Sequence, residues 1–197
     1  GDDLSGHPDH PALVLLQAHL AQGRALGGLP HKATHIAVRS ACAADGFLIE
    51  ALTRRIWTGR VSPESTVFRE TPASVSVQLA SGGGGLLENE GEFIGSGRFV
   101  RVPGPGGQGN WIEIKRIGVL PTFQKQGLGA VILHALEDMG REIGAEGAQL
   151  AIRADQPRLI VFYQGLDYLP ADDVELTTHN PRSPPPFGMR KILRTDT

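Results

Sequence analysis

The stretch from Trp111 to Gly129, with the apolar repeat behind it, constrains this chain most. Trp111-Ile-Glu-Ile-Lys-Arg-Ile-Gly-Val-Leu120 is rich in β-branched residues and alternates through Lys115, a pattern that predicts a strand. Pro121 ends it, because proline has no N–H to give to a ladder. Leu128, Ile132, Leu136, Met139 and Ile143 then recur at spacings of three and four, which predicts a helix with one apolar face. Gly144 and Gly147 mark its exit. The chain must therefore hold a strand, a short loop and a helix in immediate succession.

The loop is Gln124-Lys-Gln-Gly-Leu-Gly129. A helix start exposes unpaired N–H groups and the positive end of the helix dipole, and phosphates bind there. Gly127 and Gly129 carry no Cβ, so backbone can approach an anion closely. Gln124 and Lys125 can add donors. From these residues alone the loop is either an anion-binding turn or an ordinary strand-to-helix turn. It is not the dinucleotide fingerprint, since Ala130, Val131 and Ile132 follow Gly129 and the third position of that motif is not met. The tract Ser81-Gly-Gly-Gly-Gly85 lacks the Gly-Lys-Ser/Thr ending of a nucleotide loop. It predicts a turn or flexible loop, because four glycines have much backbone freedom to lose.

The flanks predict a mixed order of elements. Pro11 opens an apolar stripe through Leu13, Leu16 and Leu20 that Gly27, Gly28 and Pro30 end, so a short packing or dimerisation helix is expected over 11–26. His35–Arg39 reads as a strand and Asp45–Trp57 as a helix with Asp45 as its N-cap. Val75-Ser-Val-Gln-Leu79 alternates and predicts a strand, with Glu92–Val102 returning antiparallel to it. Gln149–Ile152, Val174–Thr178 and Met189–Leu193 are further predicted strands, and Pro157–Leu166 a helix. The sum is an α+β fold, with residues 1–30 as an extension and 31–197 as the domain.

Composition removes several function classes. The formal charge is −2 and the basic residues are scattered, which argues against nucleic acid and anionic membranes as partners. The apolar run Ala12–Leu16 is too short to span a bilayer and lacks the basic segment of a signal peptide. Cys42 is the sole cysteine, so no internal disulfide or thiolate metal cluster can form. A cytoplasmic protein without a metal site is expected. The alanines around Cys42 suggest packing rather than a nucleophile.

The stretch Glu113–Gly129 resembles the acetyl-CoA binding motif of the GNAT acetyltransferase superfamily: a strand ending in V-x-P, then Q/R-x-x-G-x-G/A, then an amphipathic helix. Val119 and Pro121 stand at the strand end, and Gln124, Gly127 and Gly129 match the loop. Phe162-Tyr163-Gln164-Gly165-Leu166-Asp167-Tyr168 is similar to the family's Y-x-x-x-G-F. Tyr163 meets the tyrosine, Asp167 replaces the glycine, and Tyr168 stands where phenylalanine is usual. The likeness is strong over 111–168 and looser over 34–193.

The resemblance implies a mostly antiparallel mixed sheet of six to seven strands with the coenzyme A site at its centre. The fourth and fifth strands would splay to admit the pantetheine arm. Gly118, Val119 and Leu120 would serve that arm. Gln124, Lys125, Gln126, Gly127, Leu128 and Gly129 would serve the pyrophosphate. The implied activity is direct transfer of an acetyl group from acetyl-CoA to an amine of a small molecule or peptide, with a homodimer as a further implication. A non-catalytic acyl-CoA sensor is the alternative reading. Tyr163 is the candidate acid. Glu113, fourteen residues before Gly127, is the candidate base, with an ordered water chain as the alternative. Glu88, Glu90 and Glu92 suggest a cationic acceptor, and Gln78 or Arg98 could face the cleft.

Overall fold

A computed structural model of the protein describes residues 31–177 and 183–193. The extension over 1–30, the helix expected at 11–26 and the dimer contact assigned to it lie outside these residues. Seven strands form one sheet in the order β1-β2-β3-β4-β5-β7-β6. They are β1 Ile36–Ala41, β2 Gly83–Asn89, β3 Glu92–Pro103, β4 Asn110–Val119, β5 Gly147–Ile152, β6 Leu169–Pro170 and β7 Phe187–Ile192. Every pairing is antiparallel except β4 with β5. Among the described residues four α-helices flank the sheet: α1 Gly46–Trp57, α2 Pro72–Ser81, α3 Leu128–Glu142 and α4 Arg158–Gln164.

The two faces of the sheet are covered by different helices. A Cβ on Gly97 would meet Ile132 and Leu136 of α3, whereas one on Gly118 would meet Trp57 of α1 at 2.5 Å. On the α2 side, Gln78 meets Arg98. Ile132, Leu133 and Leu136 of α3 are fully buried, as are Ile49, Leu52 and Ile56 of α1. The spacing in sequence therefore reports the buried faces of both helices. Phe47, at the start of α1, is exposed.

Three expectations fail. The segment Val75–Leu79 is helical, within α2. Its alternation is compatible with both periods, since Val75 and Leu79 are four apart and buried, while Val77 between them is 67% exposed. The start signal decides: Thr71 accepts from Ser74 N–H, Ser74 Oγ accepts from Thr71 N–H, and Pro72 takes the first turn. The glycine tract, expected as a loop, begins β2, and β3 pairs with it rather than with residues near Leu79. A Cβ at Gly82 would sit 2.0 Å from the Phe99 carbonyl oxygen. Close approach by β3 and its side chains, not freedom of the backbone, selects glycine here. Val174–Thr177 form no strand. Their backbone is used by side chains instead, as described below, and Thr178 lies outside the described residues. Asp45 precedes α1 as expected, but its carboxylate turns back to Cys42 N–H and Arg39.

Behind the sheet Glu137 of α3 is 1% exposed and takes three partners. Tyr168 donates its hydroxyl at 2.9 Å, Lys191 lies at 3.0 Å and His134 at 3.0 Å. Burying a carboxylate is tolerable only with such donors around it. Tyr168, fully buried, thereby ties the end of α4 to α3. Tyr168→Phe should lower stability by about 1–3 kcal/mol, measured by urea denaturation, although it restores the residue usual in the family motif.

Candidate active site

β4 and β5 pair through only three residues, Trp111 with Gly147, Ile112 with Ala148 and Glu113 with Gln149. Beyond that point β4 continues to Val119 and β5 to Ile152 without further pairing to each other. The strands diverge where β4 carries an extra residue. Ser96 faces Gly118 and Arg98 faces Lys115, so two steps on β3 meet three on β4. Arg116 sits in this bulge at φ +58°, a conformation that costs a side-chain-bearing residue about 1–3 kcal/mol. A bulge sharpens the local twist and bends the strand away from its neighbour.

The bulge is held by ion pairs. Arg116 Nε donates to Glu70 Oε1 at 2.6 Å, and its Nη2 donates to Thr66 at 3.1 Å. The other oxygen of Glu70 receives Arg98 Nη2 at 2.5 Å. Arg98 is 1% exposed and also donates to Gln78. The expectation that Gln78 or Arg98 faces the cleft fails, since they bond each other beneath α2. A guanidinium without a nearby carboxylate could not be buried there.

The divergence opens a cleft of about 620 Å³, walled by β4 from Glu113 to Val119, β5 from Leu150 to Ile152, the loop 123–129 and one side of α4. The loop has the geometry expected of an anion cradle. Gly127 caps α3 at φ +73°, and a Cβ there would meet nothing within 4 Å. A Cβ on Gly129 would meet Ile117 and Phe162 at 3.9 and 4.0 Å. With no side chain on Gly127 to cap them, the first N–H groups of α3 point outward. Unpaired N–H groups at a helix start are the kind of donors that bind anions.

The side chains of the loop are divided between roles. Gln124 donates to the Val119 carbonyl at 3.1 Å, pinning the loop to the strand end. Gln126 bonds His31 and Ala33, and Leu128 is buried in the core. Lys125 is exposed, at φ +61°. Gly118 is a glycine because Trp57 lies against it. Leu120 N–H is already used by the Ile94 carbonyl. Successive N–H groups of a strand point to opposite edges, so Val119 N–H faces the cleft. Its carbonyl is engaged by Gln124.

Tyr163 lines the cleft and makes no hydrogen bond through its hydroxyl to any described residue. It is half-buried as a residue, and burial pushes its phenol up to about 12. Its ring meets Tyr168 edge-on at 5.8 Å. Asp167 follows at φ +71°, so the aspartate takes the left-handed turn that the family glycine would supply. Glu113 also lines the cleft but is 1% exposed and crowded by donors. Oε1 accepts from Gln149 Nε2 and Thr177 N–H, both at 2.9 Å. Oε2 accepts from the Thr177 hydroxyl and lies 3.4 Å from Lys115 Nζ. Tyr163 reaches the cleft from the α3 side, through Tyr168 and Glu137. Glu113 and Lys115 stand on the α1 and α2 side with Arg116.

The model of the acetyltransferase (GNAT) family matches residues 51–168. The chain belongs to this family. The GNAT domain is 27% identical over 138 residues to the tRNA(Met) cytidine acetyltransferase TmcA of Nitrosococcus halophilus, covering 69% of this chain and 15% of that protein. The chain thus spans about 15% of the length of that curated relative. The ribosomal-protein-S18-alanine N-acetyltransferase of Escherichia coli shares the fold at TM-score 0.62 and 16% identity, over 83% of this chain and 97% of that one. The PaiA N-acetyltransferase of Thermoplasma acidophilum, solved with coenzyme A, does so at 0.61 and 15%, over 81% and 99%.

Sequence reasoning about the GNAT domain missed Glu70, Arg116, Gln149 and Thr177. Glu70 and Arg116 are 46 residues apart, and Glu113 and Thr177 are 64 apart, with no local pattern to join them. Cys42 is exposed rather than packed. Among the described residues no group of three or more potential ligands could hold a metal, and no helix is long and apolar enough to cross a membrane.

Glycine tolerates φ +58° and alanine does not. Arg116→Gly should therefore be more stable than Arg116→Ala by about 1 kcal/mol, against the usual strand preference. Glu70→Ala, which strands the buried Arg98, should cost about 3–5 kcal/mol. Chemical denaturation measures all three.

Proposed function

We propose that this domain transfers the acetyl group of acetyl-CoA to an amine of a small molecule or peptide. The observation that carries the reading is the cleft through the sheet, with the anion cradle and an unbonded phenol on its α3 side and a carboxylate on its α1 side. The pyrophosphate of acetyl-CoA lies on the N–H groups from Gly127 to Ala130, beside Lys125. The pantetheine arm runs along β4 at Gly118 and Val119. The thioester then lies between Tyr163 and Glu113.

The amine nitrogen attacks the thioester carbonyl carbon, and the carbon–sulfur bond breaks. Tyr163 donates its O–H proton to the departing sulfur and is reprotonated by the proton that the attacking nitrogen sheds as the intermediate collapses. The ammonium proton of the acceptor reaches Glu113 through water, because both carboxylate oxygens are already held by Gln149, Thr177 and Lys115. Positioned acid and base groups contribute about 10²–10⁴-fold each. The O–H of Tyr163, which lines the cleft and has no acceptor among the described residues, supports an enzyme over a non-catalytic sensor. A cytidine of RNA, the acceptor named for the Nitrosococcus relative, fits less well with a formal charge of −2. A cytoplasmic location and a homodimer through residues 11–26 belong to the same proposal.

Calorimetric titration should show one acetyl-CoA per chain, and the absence of heat would end the reading. Tyr163→Phe should lower kcat by about 10²-fold or more with little change in acetyl-CoA affinity. A phenol held near 12 keeps its proton below that pH, so kcat should not fall between pH 8 and 10 through Tyr163. Glu113→Gln should lower turnover at pH 7 and recover as rising pH deprotonates the free amine. A purely structural Glu113 would give no such recovery.

A further inference from the structure

The acceptor's chemistry is legible in the charges on the α1 and α2 side of the cleft. The donor occupies the α3 side in the reading above, on which this inference rests. The acceptor must then approach from the opposite face, where Trp57, Arg60, Lys115 and Arg116 line the cleft. Arg98 is buried behind them on the same carboxylate as Arg116. The carboxylates here are Glu113 and Glu70, engaged by Lys115 and by the two arginines. Among the described side chains that line this face and their ion-pair partners, Arg60, Lys115, Arg116 and Arg98 stand against Glu70 and Glu113, two more cations than carboxylates.

Arg60 holds the open part of that excess. It follows α1 on the cleft wall, and its one described hydrogen bond is a long one, 3.5 Å, to the Ile56 carbonyl. It has no carboxylate partner among the described residues. Arg60 is exposed as a residue, yet partial desolvation at the cleft wall, and then the charge of Arg158 on α4, both press its pKa down. Two guanidiniums that repel each other across a cleft are relieved by an anion between them. The acidic side chains expected to attract a cation are elsewhere. Glu88 lies 3.9 Å from Arg39, Glu90 pairs with His35, and neither they nor Glu92 line the cleft. A cation would meet net positive charge on this face.

We propose that the amine acceptor carries its own carboxylate or phosphate, and that Arg60 binds this anion and so selects the substrate. Arg158 lines the same cleft from α4. The cleft suits a small anionic amine, such as an amino acid or an aminoalkyl phosphate, rather than a polyamine.

Thiol release from acetyl-CoA is measured with matched acceptors: amino acids against their amides, and phosphoethanolamine against ethanolamine. The anionic member of at least one series should exceed its neutral partner about ten- to a hundredfold in kcat/KM, the effect of one charge-assisted hydrogen bond. Which series shows the preference separates carboxylate from phosphate. Arg60→Ala should remove the preference through the acceptor KM and not the KM of acetyl-CoA. Arg60→Lys, which keeps the charge, should retain part of it. Neutral partners used equally well, a polyamine or an RNA as the preferred acceptor, or an Arg60→Ala loss confined to the KM of acetyl-CoA would each overturn the proposal while leaving acetyl transfer intact. Failure to bind acetyl-CoA in the calorimetric titration would overturn both.

Discussion

The site depends on one distortion, the extra residue at Arg116 in β4. An undistorted parallel pair would continue its hydrogen bonds past Glu113 and Gln149 and close the sheet. With the bulge, pairing stops there, and backbone groups of β4 are released to face a cleft. The distortion is costly because a residue with a Cβ occupies φ +58°. Glu70 offsets the cost. It comes from the segment before α2, holds Arg116 from one oxygen and Arg98 from the other, and fixes both strands of the bulge together. A segment remote from the coenzyme loop thus shapes the wall along which the coenzyme would lie.

A second buried carboxylate performs the matching task on the other face. Glu137 gathers Tyr168, Lys191 and His134, and through Tyr168 it sets the ring of Tyr163 at the cleft. Glu113 completes the set by tying the irregular segment at Thr177 over the junction of β4 and β5. All three carboxylates are buried or largely covered, and each is surrounded by donors. Such groups stabilise little in total, but removing one partner is expensive. They therefore specify geometry more than they add stability. The two faces of the cleft are built by different networks, which is consistent with donor and acceptor entering from opposite sides.

Much of this was legible in the sequence wherever a signal was local. The apolar spacing from Leu128 gives α3 as Leu128–Glu142, against an expected end at Ile143. The run from Trp111 is β4 over Asn110–Val119. Gly127 stands at the left-handed cap where an anion loop needs it, and Asp167 takes the turn that its replacement of glycine put in question. The strand expected at Val75–Leu79 failed because a spacing of four serves both helix and sheet, and the Thr71-Pro72 start with Ser74 decides for the helix. The glycine tract failed because packing by Phe99 overrides backbone freedom.

The sequence by itself determined the strand, the loop and the helix around Gly127, because periodicity, proline and glycine act on neighbouring residues. It also pointed to Tyr163 and Glu113 as the polar groups of the site. Only the tertiary structure decided that Glu113 is held by Gln149 and Thr177, that Gln124 serves the strand end rather than an open site, and that Arg60 lines the cleft without a carboxylate partner among the described residues. Those outcomes rest on contacts across tens of residues, between groups whose charges must be matched once water is excluded. No local pattern encodes which distant partner satisfies a buried charge.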